Sequence, residues 1–118
     1  MILAADPGDV WVYAERGPDG FEPVSLELLG KSREIADRLG KHLVALTIGD
    51  GKEEVGPLQR YDVDETIAVD DPLLSRYDTR AYCAVIETEV RAAKPSILLL
   101  GATRNGQDLA GRLAVRLR

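Results

Sequence analysis

The sequence has few of the residues from which metal and catalytic sites are commonly built. Among its 118 residues it contains one cysteine, Cys83, and one histidine, His42. A single cysteine excludes an internal disulfide and suits a cytoplasmic setting. With only one cysteine and one histidine, a zinc site would consist mostly of carboxylates, so the sequence predicts no metal site.

Long apolar runs and excess positive charge are also missing. The first five residues, 1–5, are mildly apolar but lack the basic flank and the length of a secretory signal. No stretch is long enough to predict a membrane span. The net charge is -5 and the isoelectric point is near 4.9, which argues against nonspecific binding to nucleic acid or anionic lipid. The sequence therefore predicts neither a nucleic-acid partner nor membrane insertion.

Apolar segments of strand type alternate with amphipathic segments of helix type. A chain of this length is expected to form one domain with a substantial core. The predicted strands are residues 10–14, 43–48, 66–69 and 97–100. The predicted helices are residues 25–39, one short turn from Pro57, residues 78–93 and residues 105–117. This alternation predicts an α/β fold, in which a parallel sheet is covered by helices on both faces.

Polar residues and glycine mark the expected helix ends. Ser25, Asp78 and Asn105 are predicted to cap the amino-terminal ends of the three longer helices, and Gly40 is predicted to end the first of them. Four apolar side chains of the first helix are predicted to share its buried face: Leu28, Ile35, Ala36 and Leu39.

The apolar content of the strands predicts their order in the sheet. The first and fourth strands are the most continuously apolar and are expected to be central, which gives the order 3-2-1-4 with a vacant side next to the fourth. Each buried backbone group left without a partner there costs about 1 to 3 kcal/mol. We therefore expect that residues 1–118 are a partial domain whose last strands are missing after Arg118. The exposed strand edge could also support self-association.

The turn after the fourth strand is a candidate anion site. It precedes a helix, where free N–H groups favour negative charge, and it offers Thr103, Asn105 and Gly106. It lacks a P-loop lysine, and Asp108 already places a carboxylate in the first helical turn. The sequence favours a structural turn, and a small nucleotide-binding module that uses Thr103 to Gly106 is the alternative.

A phosphoacceptor site was the other chemical possibility. Asp70 and Asp71 end the third strand, and Thr103 follows the fourth, as in receiver domains of similar length. The acidic residues needed after the first strand to hold magnesium are absent, because the chain there reads Glu15-Arg16-Gly17. Cys83 lies near the apolar face of its helix and is predicted to be a core thiol. No catalytic residue is predicted.

Several distant motifs together resemble one known family. They are the strand VWVYAE, the helix SLELLGKSREIADRLG, the segment AVDDPLLSRYDTRAY and the segment KPSILLLGATRNGQDLAGRLAVRL. In this combination they resemble the amino-terminal domain of the electron transfer flavoprotein alpha subunit over nearly the whole chain from Asp9 onward. The resemblance implies a Rossmann-like fold similar to the adenine nucleotide alpha hydrolase group.

The resemblance also implies partners, cofactors and a location. The family's alpha subunit forms a heterodimer with a beta subunit, and its separate carboxyl-terminal domain holds most of the FAD, whereas the beta subunit commonly holds AMP. The complete protein carries electrons from dehydrogenases to an acceptor such as a quinone oxidoreductase, in the cytoplasm or, in eukaryotes, the mitochondrial matrix. This chain is expected to be a scaffold and subunit-docking domain. No catalytic activity and no flavin of its own are expected.

Overall fold

A twisted sheet lies between two layers of helices in the computed structural model, which describes residues 2–3, 8–52 and 54–118. The strands are β1 (Ile2–Leu3), β2 (Val10–Tyr13), β3 (Arg16–Gly17), β4 (Gly20–Phe21), β5 (Leu43–Gly49), β6 (Glu65–Asp70) and β7 (Ile97–Leu99). The α-helices are α1 (Pro23–Leu39), α2 (Thr79–Ala93) and α3 (Arg104–Arg116), and 3₁₀ helices occupy Gly56–Tyr61 and Pro72–Leu74.

The order of the parallel strands confirms the prediction. The main sheet has the order β1-β7-β2-β5-β6, and its four longer strands β7, β2, β5 and β6 run parallel. These are the predicted strands four, one, two and three. β6 lies at an edge, as predicted, and is six residues long where four were expected. β3 and β4 form a separate small hairpin after β2.

The prediction of a bare edge at the fourth strand is wrong. β1 pairs antiparallel with β7, placing Ile2 opposite Leu98 and Leu3 opposite Ile97. At Ile97 and Leu98 the strand edge therefore already has a partner within the chain, so the reason to expect self-association no longer applies there. A two-residue strand carries too little periodicity for a sequence pattern to reveal it.

Two apolar layers form on the two faces of the sheet because successive strand residues point in opposite directions. Trp11 and Tyr13 of β2 face α2 and α3, where they pack with Leu98. Val10 and Val12 face α1. All four side chains are buried. The central strands are therefore covered on both faces, as their continuous apolar character predicts.

Helix α1 differs from the prediction in its start and in its buried face. It begins at Pro23 with Glu22 at the cap position, so the predicted cap residue Ser25 lies inside the first turn and is buried. The buried positions of the helix are Ser25, Leu29, Ser32 and Ala36, whereas Leu28 is half-buried. Ile35 is 38% exposed and Leu39 is 50% exposed. Small residues at three of these four buried positions let the helix approach the sheet closely. Of the predicted face only Ala36 is fully buried, so the packing surface is rotated from the predicted apolar stripe.

Other helix ends form where they were predicted. Asp78 precedes α2, and its Oδ1 atom accepts a hydrogen bond from the Ala81 amide at 2.9 Å. Gly40 ends α1 in the left-handed conformation at a φ of 64°, which glycine adopts without a Cβ penalty. The segment around Pro57 forms a 3₁₀ helix of six residues, Gly56–Tyr61, which is about two turns where one was expected, and the proline lies at its start.

Candidate functional site

A cleft of about 370 Å³ opens at the edge of the sheet where the parallel strands end. Its lining includes Glu15, Arg16, Gly49, Tyr77, Tyr82 and Asn105. In open α/β sheets, ligands bind at this edge, at the point where successive connections leave in opposite directions along the sheet. Here β5 lies on one side of β2 and β7 on the other, so that point is between the ends of β2 and β7.

Glu15 occupies the point between β2 and β7. It lies two residues after β2, is only 7% exposed, and its Oε1 atom accepts a hydrogen bond from the Thr103 hydroxyl at 2.5 Å. The Glu15 amide in turn donates to the hydroxyl of Ser25 at 3.0 Å. The backbone of Glu15 is therefore held by α1, and its side chain by the residue that precedes α3.

Thr103 caps α3, and the prediction that Asn105 caps it is wrong. The Thr103 hydroxyl oxygen accepts a hydrogen bond from the Gly106 amide at 2.9 Å, while Asn105 is the second residue of the helix. The cap falls at Thr103 because its backbone is extended and its hydroxyl can serve both Gly106 and Glu15.

The environment of Glu15 alters its acidity. Burial raises the pKa of the Glu15 carboxyl, and the hydrogen bond from Thr103 opposes this increase without cancelling it; the nearby carboxylate of Glu22 raises it slightly further. A carboxylate of the chain itself thus lies beside the amino-terminal end of α3, where an external anion would otherwise bind.

The predicted anion-site residues Thr103, Asn105 and Gly106 are brought together at the start of α3. Thr103 and Gly106 bond to groups within the chain, and the Asn105 carbonyl accepts from the Tyr77 hydroxyl at 3.5 Å. Packing also requires glycine at position 106, because a Cβ atom there would overlap the carbonyl oxygen of Gly101. Anion binding by these residues stays a prediction.

Arg16 is a buried cation of the cleft that the sequence did not indicate. Its side chain is 8% exposed, its Nε atom donates to the Thr47 hydroxyl at 2.9 Å, and its Nη2 atom lies 3.6 Å from Oδ1 of Asp70. Nη1 and Nη2 make no hydrogen bond within the described residues. Gly49 leaves room for the guanidinium, since a Cβ atom there would lie 2.7 Å from Nη1. The one feature of the sequence related to this arrangement is Gly49, the glycine that ends β5, and it does not by itself identify Arg16.

The two aspartates that suggested a phosphoacceptor have different structural partners. Asp70 faces Arg16, as described above. Asp71 caps the following 3₁₀ helix, since its Oδ1 atom accepts a hydrogen bond from the Leu73 amide at 2.9 Å. The segment after β6 is therefore a capped turn.

Tyrosine side chains connect α2 to α3 along the wall of the cleft. The rings of Tyr77 and Tyr82 meet edge to face with their centroids 5.1 Å apart. The hydroxyls of Tyr77 and Thr79 donate to Asp108 at 3.3 and 2.6 Å, and the hydrogen bond from Thr79 is the main reason that the pKa of Asp108 is lowered. Burial raises the pKa of Tyr13 well above its usual range. Tyr13 therefore lines the cleft as a neutral phenol.

Within residues 2–3, 8–52 and 54–118, no group of three or more histidine, cysteine, aspartate or glutamate side chains is placed to hold a metal ion. No helix in that part of the chain has the length and apolar character needed to cross a membrane.

Comparison with known proteins agrees with this architecture. The family model of the electron transfer flavoprotein domain matches residues 10–118. The chain belongs to this family. The resemblance to the amino-terminal domain of the alpha subunit, predicted from sequence motifs, is confirmed.

The relatives of this chain include proteins of Clostridium and Acetobacterium species. Protein FixB of Clostridium saccharobutylicum is 43% identical over 113 residues, which is 96% of this chain and 34% of the relative. The electron transfer flavoprotein subunit alpha of Clostridium acetobutylicum is 42% identical over 114 residues, with the same two shares. Subunit LctC of the lactate dehydrogenase (NAD(+),ferredoxin) of Acetobacterium woodii is 36% identical over 110 residues, or 92% of this chain and 26% of the relative. The chain thus spans about a third, or less, of the length of these curated relatives.

Proposed function

We propose that this chain is the scaffold and subunit-docking domain of an electron transfer flavoprotein alpha subunit. The family membership supports this assignment, and one observation carries the scaffold role. The carboxylate of Glu15, held by Thr103, occupies the place at the sheet edge where a nucleotide cofactor would bind in a comparable fold. The cleft is therefore filled at that point by the chain itself.

The redox chemistry belongs to the complete protein in this proposal. FAD is held by a separate carboxyl-terminal domain of the alpha subunit, and AMP by the beta subunit. The assembled heterodimer carries electrons on FAD between dehydrogenases and an acceptor such as a quinone oxidoreductase. Residues 1–118 supply one α/β domain of that assembly and no catalytic group. Its location in this proposal is the cytoplasm, or the mitochondrial matrix of a eukaryote.

The alternative, a nucleotide-binding module using Thr103 to Gly106, has less support. The donors of Thr103 and Gly106 are engaged within the chain, and the carboxylates of Glu15 and Asp50 line the same cleft. Both carboxylates would repel a phosphate. Among the described residues of the lining, Arg16 is the one that carries a positive charge, and its buried guanidinium would favour an anion.

Co-purification tests the docking role directly. The chain, carrying an affinity tag, is co-expressed with the electron transfer flavoprotein beta subunit of the same organism, and the retained proteins are quantified. An equimolar complex is expected, and an untagged chain is the control for nonspecific retention. Failure of the beta subunit to remain with a folded chain would contradict the proposal. Heat released on titrating the isolated chain with AMP would favour the alternative.

A further inference from the structure

The outer edge of β6 is an unpaired sheet edge. The sheet ends at this strand, and none of the described residues pairs with its outer side. In a parallel ladder, backbone groups turn alternately toward the two sides of the strand. Because the Asp71 amide donates to the Gly49 carbonyl at 2.9 Å, alternation turns the N–H and C=O groups of Thr66, Ala68 and Asp70 outward.

This edge has few of the features that prevent strand pairing. β6 contains no proline, and its six residues pair with β5 in one uninterrupted register, so the strand has no bulge. Residues 66–69 in its centre are uncharged. Natural edge strands are usually short, charged, bulged or covered. The centre of β6 is therefore able to accept another strand.

An apolar groove lies beside the same edge. It has a volume of about 310 Å³ and is lined by Val69, Ala84, Val85, Thr88 and Glu89. Added strands gain affinity from main-chain hydrogen bonds and specificity from pockets that receive alternate side chains. The groove can receive one such side chain of an added strand.

The ends of the edge are acidic. Glu65 is exposed at the start of β6, and Asp71 is exposed just after it, while Glu89 lies on the groove. In an antiparallel pair of two copies centred on this strand, the acidic end of one copy would lie against the acidic end of the other, which is destabilising. Charge thus disfavours a second copy and favours a strand with basic ends.

We propose that the outer edge of β6 is a docking site for an extended segment of a different polypeptide, neutral or apolar in its centre and carrying lysine or arginine at both ends. The segment would form main-chain hydrogen bonds with Thr66, Ala68 and Asp70. Its ends would lie near Glu65 and Asp71. This site lies on a different strand from the Glu15 cleft and does not depend on the proposed function.

A model peptide tests the proposal on the intact chain. The probe is a capped peptide of sequence KTVTVTVK, and amide hydrogen exchange of the chain is followed by NMR. Saturating peptide is expected to slow exchange at Thr66 and Ala68 severalfold. Exchange at the inward-facing amides of Ile67 and Val69 should change little. The same peptide carrying N-methyl groups on its bonding edge should give no protection, because it lacks the donors.

Charge exchange tests the specificity of the site. Glu65→Lys is expected to weaken binding of KTVTVTVK by up to about fivefold and to strengthen binding of ETVTVTVE, as expected for an exposed ion pair. Glu89→Lys provides a second position if Glu65→Lys alters the strand. The proposal is overturned if the peptide gives no protection, if the methylated peptide protects equally, or if protection grows with chain concentration alone, which would indicate a second copy.

Discussion

The carboxylate of Glu15 and the hydroxyl of Thr103, which are 88 residues apart in sequence, are joined by a hydrogen bond of 2.5 Å. This contact connects the segment after β2 to the first residue before α3. The same hydroxyl caps the helix, so one threonine satisfies both the helix end and the buried carboxylate. The contact therefore contributes to the stability of the domain and places a carboxylate of the chain itself in the cleft.

Thr103→Val should destabilise the domain by about 2 to 3 kcal/mol, because it removes an N-cap and leaves a buried carboxylate without a donor. The free energy of unfolding, measured in urea, checks this value. Thr103→Ser is the matched control and should retain most of the stability, since the hydroxyl remains. A larger loss in Thr103→Ser than in Thr103→Val would show that the methyl group, and not the hydroxyl, stabilises this position.

Glu15→Gln should alter the dependence of stability on pH. Burial raises the pKa of Glu15 above its ordinary value of 4.5, so the native state binds more protons than the unfolded chain as pH rises from that value. The contribution of Glu15 to the free energy of unfolding therefore falls as pH increases through its folded pKa. Glutamine does not titrate, so the variant should gain stability relative to the parent chain between acidic and neutral pH. The free energy of unfolding of both chains is measured in urea at several pH values. If it varies with pH in the same way in the variant and the parent chain, the assignment is refuted.

Replacing each of two glycines of α3 by alanine should change the stability of the domain in opposite directions. At Gly106 a Cβ atom would overlap the Gly101 carbonyl, whereas at Gly111 no atom lies within 4 Å. Gly106→Ala should therefore lower the thermal midpoint strongly. Gly111→Ala should raise stability by about 0.5 to 1 kcal/mol through helix propensity. Similar effects at both sites would mean that α3 does not pack closely against the turn at Gly101.

Cys83 should react slowly with thiol reagents while the chain is folded. The residue is buried, and burial raises the pKa of its thiol, so both access and thiolate formation are disfavoured. Labelling with Ellman's reagent should become fast only in urea. Ala92→Cys places a thiol at an exposed position of the same helix and should react quickly in the folded state. Fast labelling of Cys83 without denaturant would indicate that α2 opens readily.

The sheet was predictable because its signals are local. Continuous apolar segments separated by helices predict a parallel sheet. Asp78 and Gly40 mark helix ends because the contacts and backbone conformation of a cap involve only neighbouring residues. The face of α1 was not predictable in this way. Leu28 and Leu29 are adjacent, as are Ile35 and Ala36, so the periodicity allows two neighbouring stripes, and close packing on the sheet selects the one that contains Ser25 and Ser32.

The cleft was less accessible to sequence reasoning because its contacts are long-range. Thr103 and Asn105 are both common cap residues, and Thr103 is selected by its bond to Glu15, which depends on the order of β2 and β7 in the sheet. The position of Arg16 likewise depends on Thr47 and Asp70 from two other strands. The pairing of β1 with β7 involves only two residues and left no pattern to detect.

Binding of FAD to the isolated chain is the most direct test of the scaffold role. Equilibrium dialysis of residues 1–118 against an excess of FAD measures the bound flavin by its visible absorbance. The account predicts no stoichiometric flavin on the folded chain, because Glu15 and Thr103 close the sheet edge from within. One equivalent of bound FAD would contradict it, most clearly if Glu15→Lys or Thr103→Val changed the affinity.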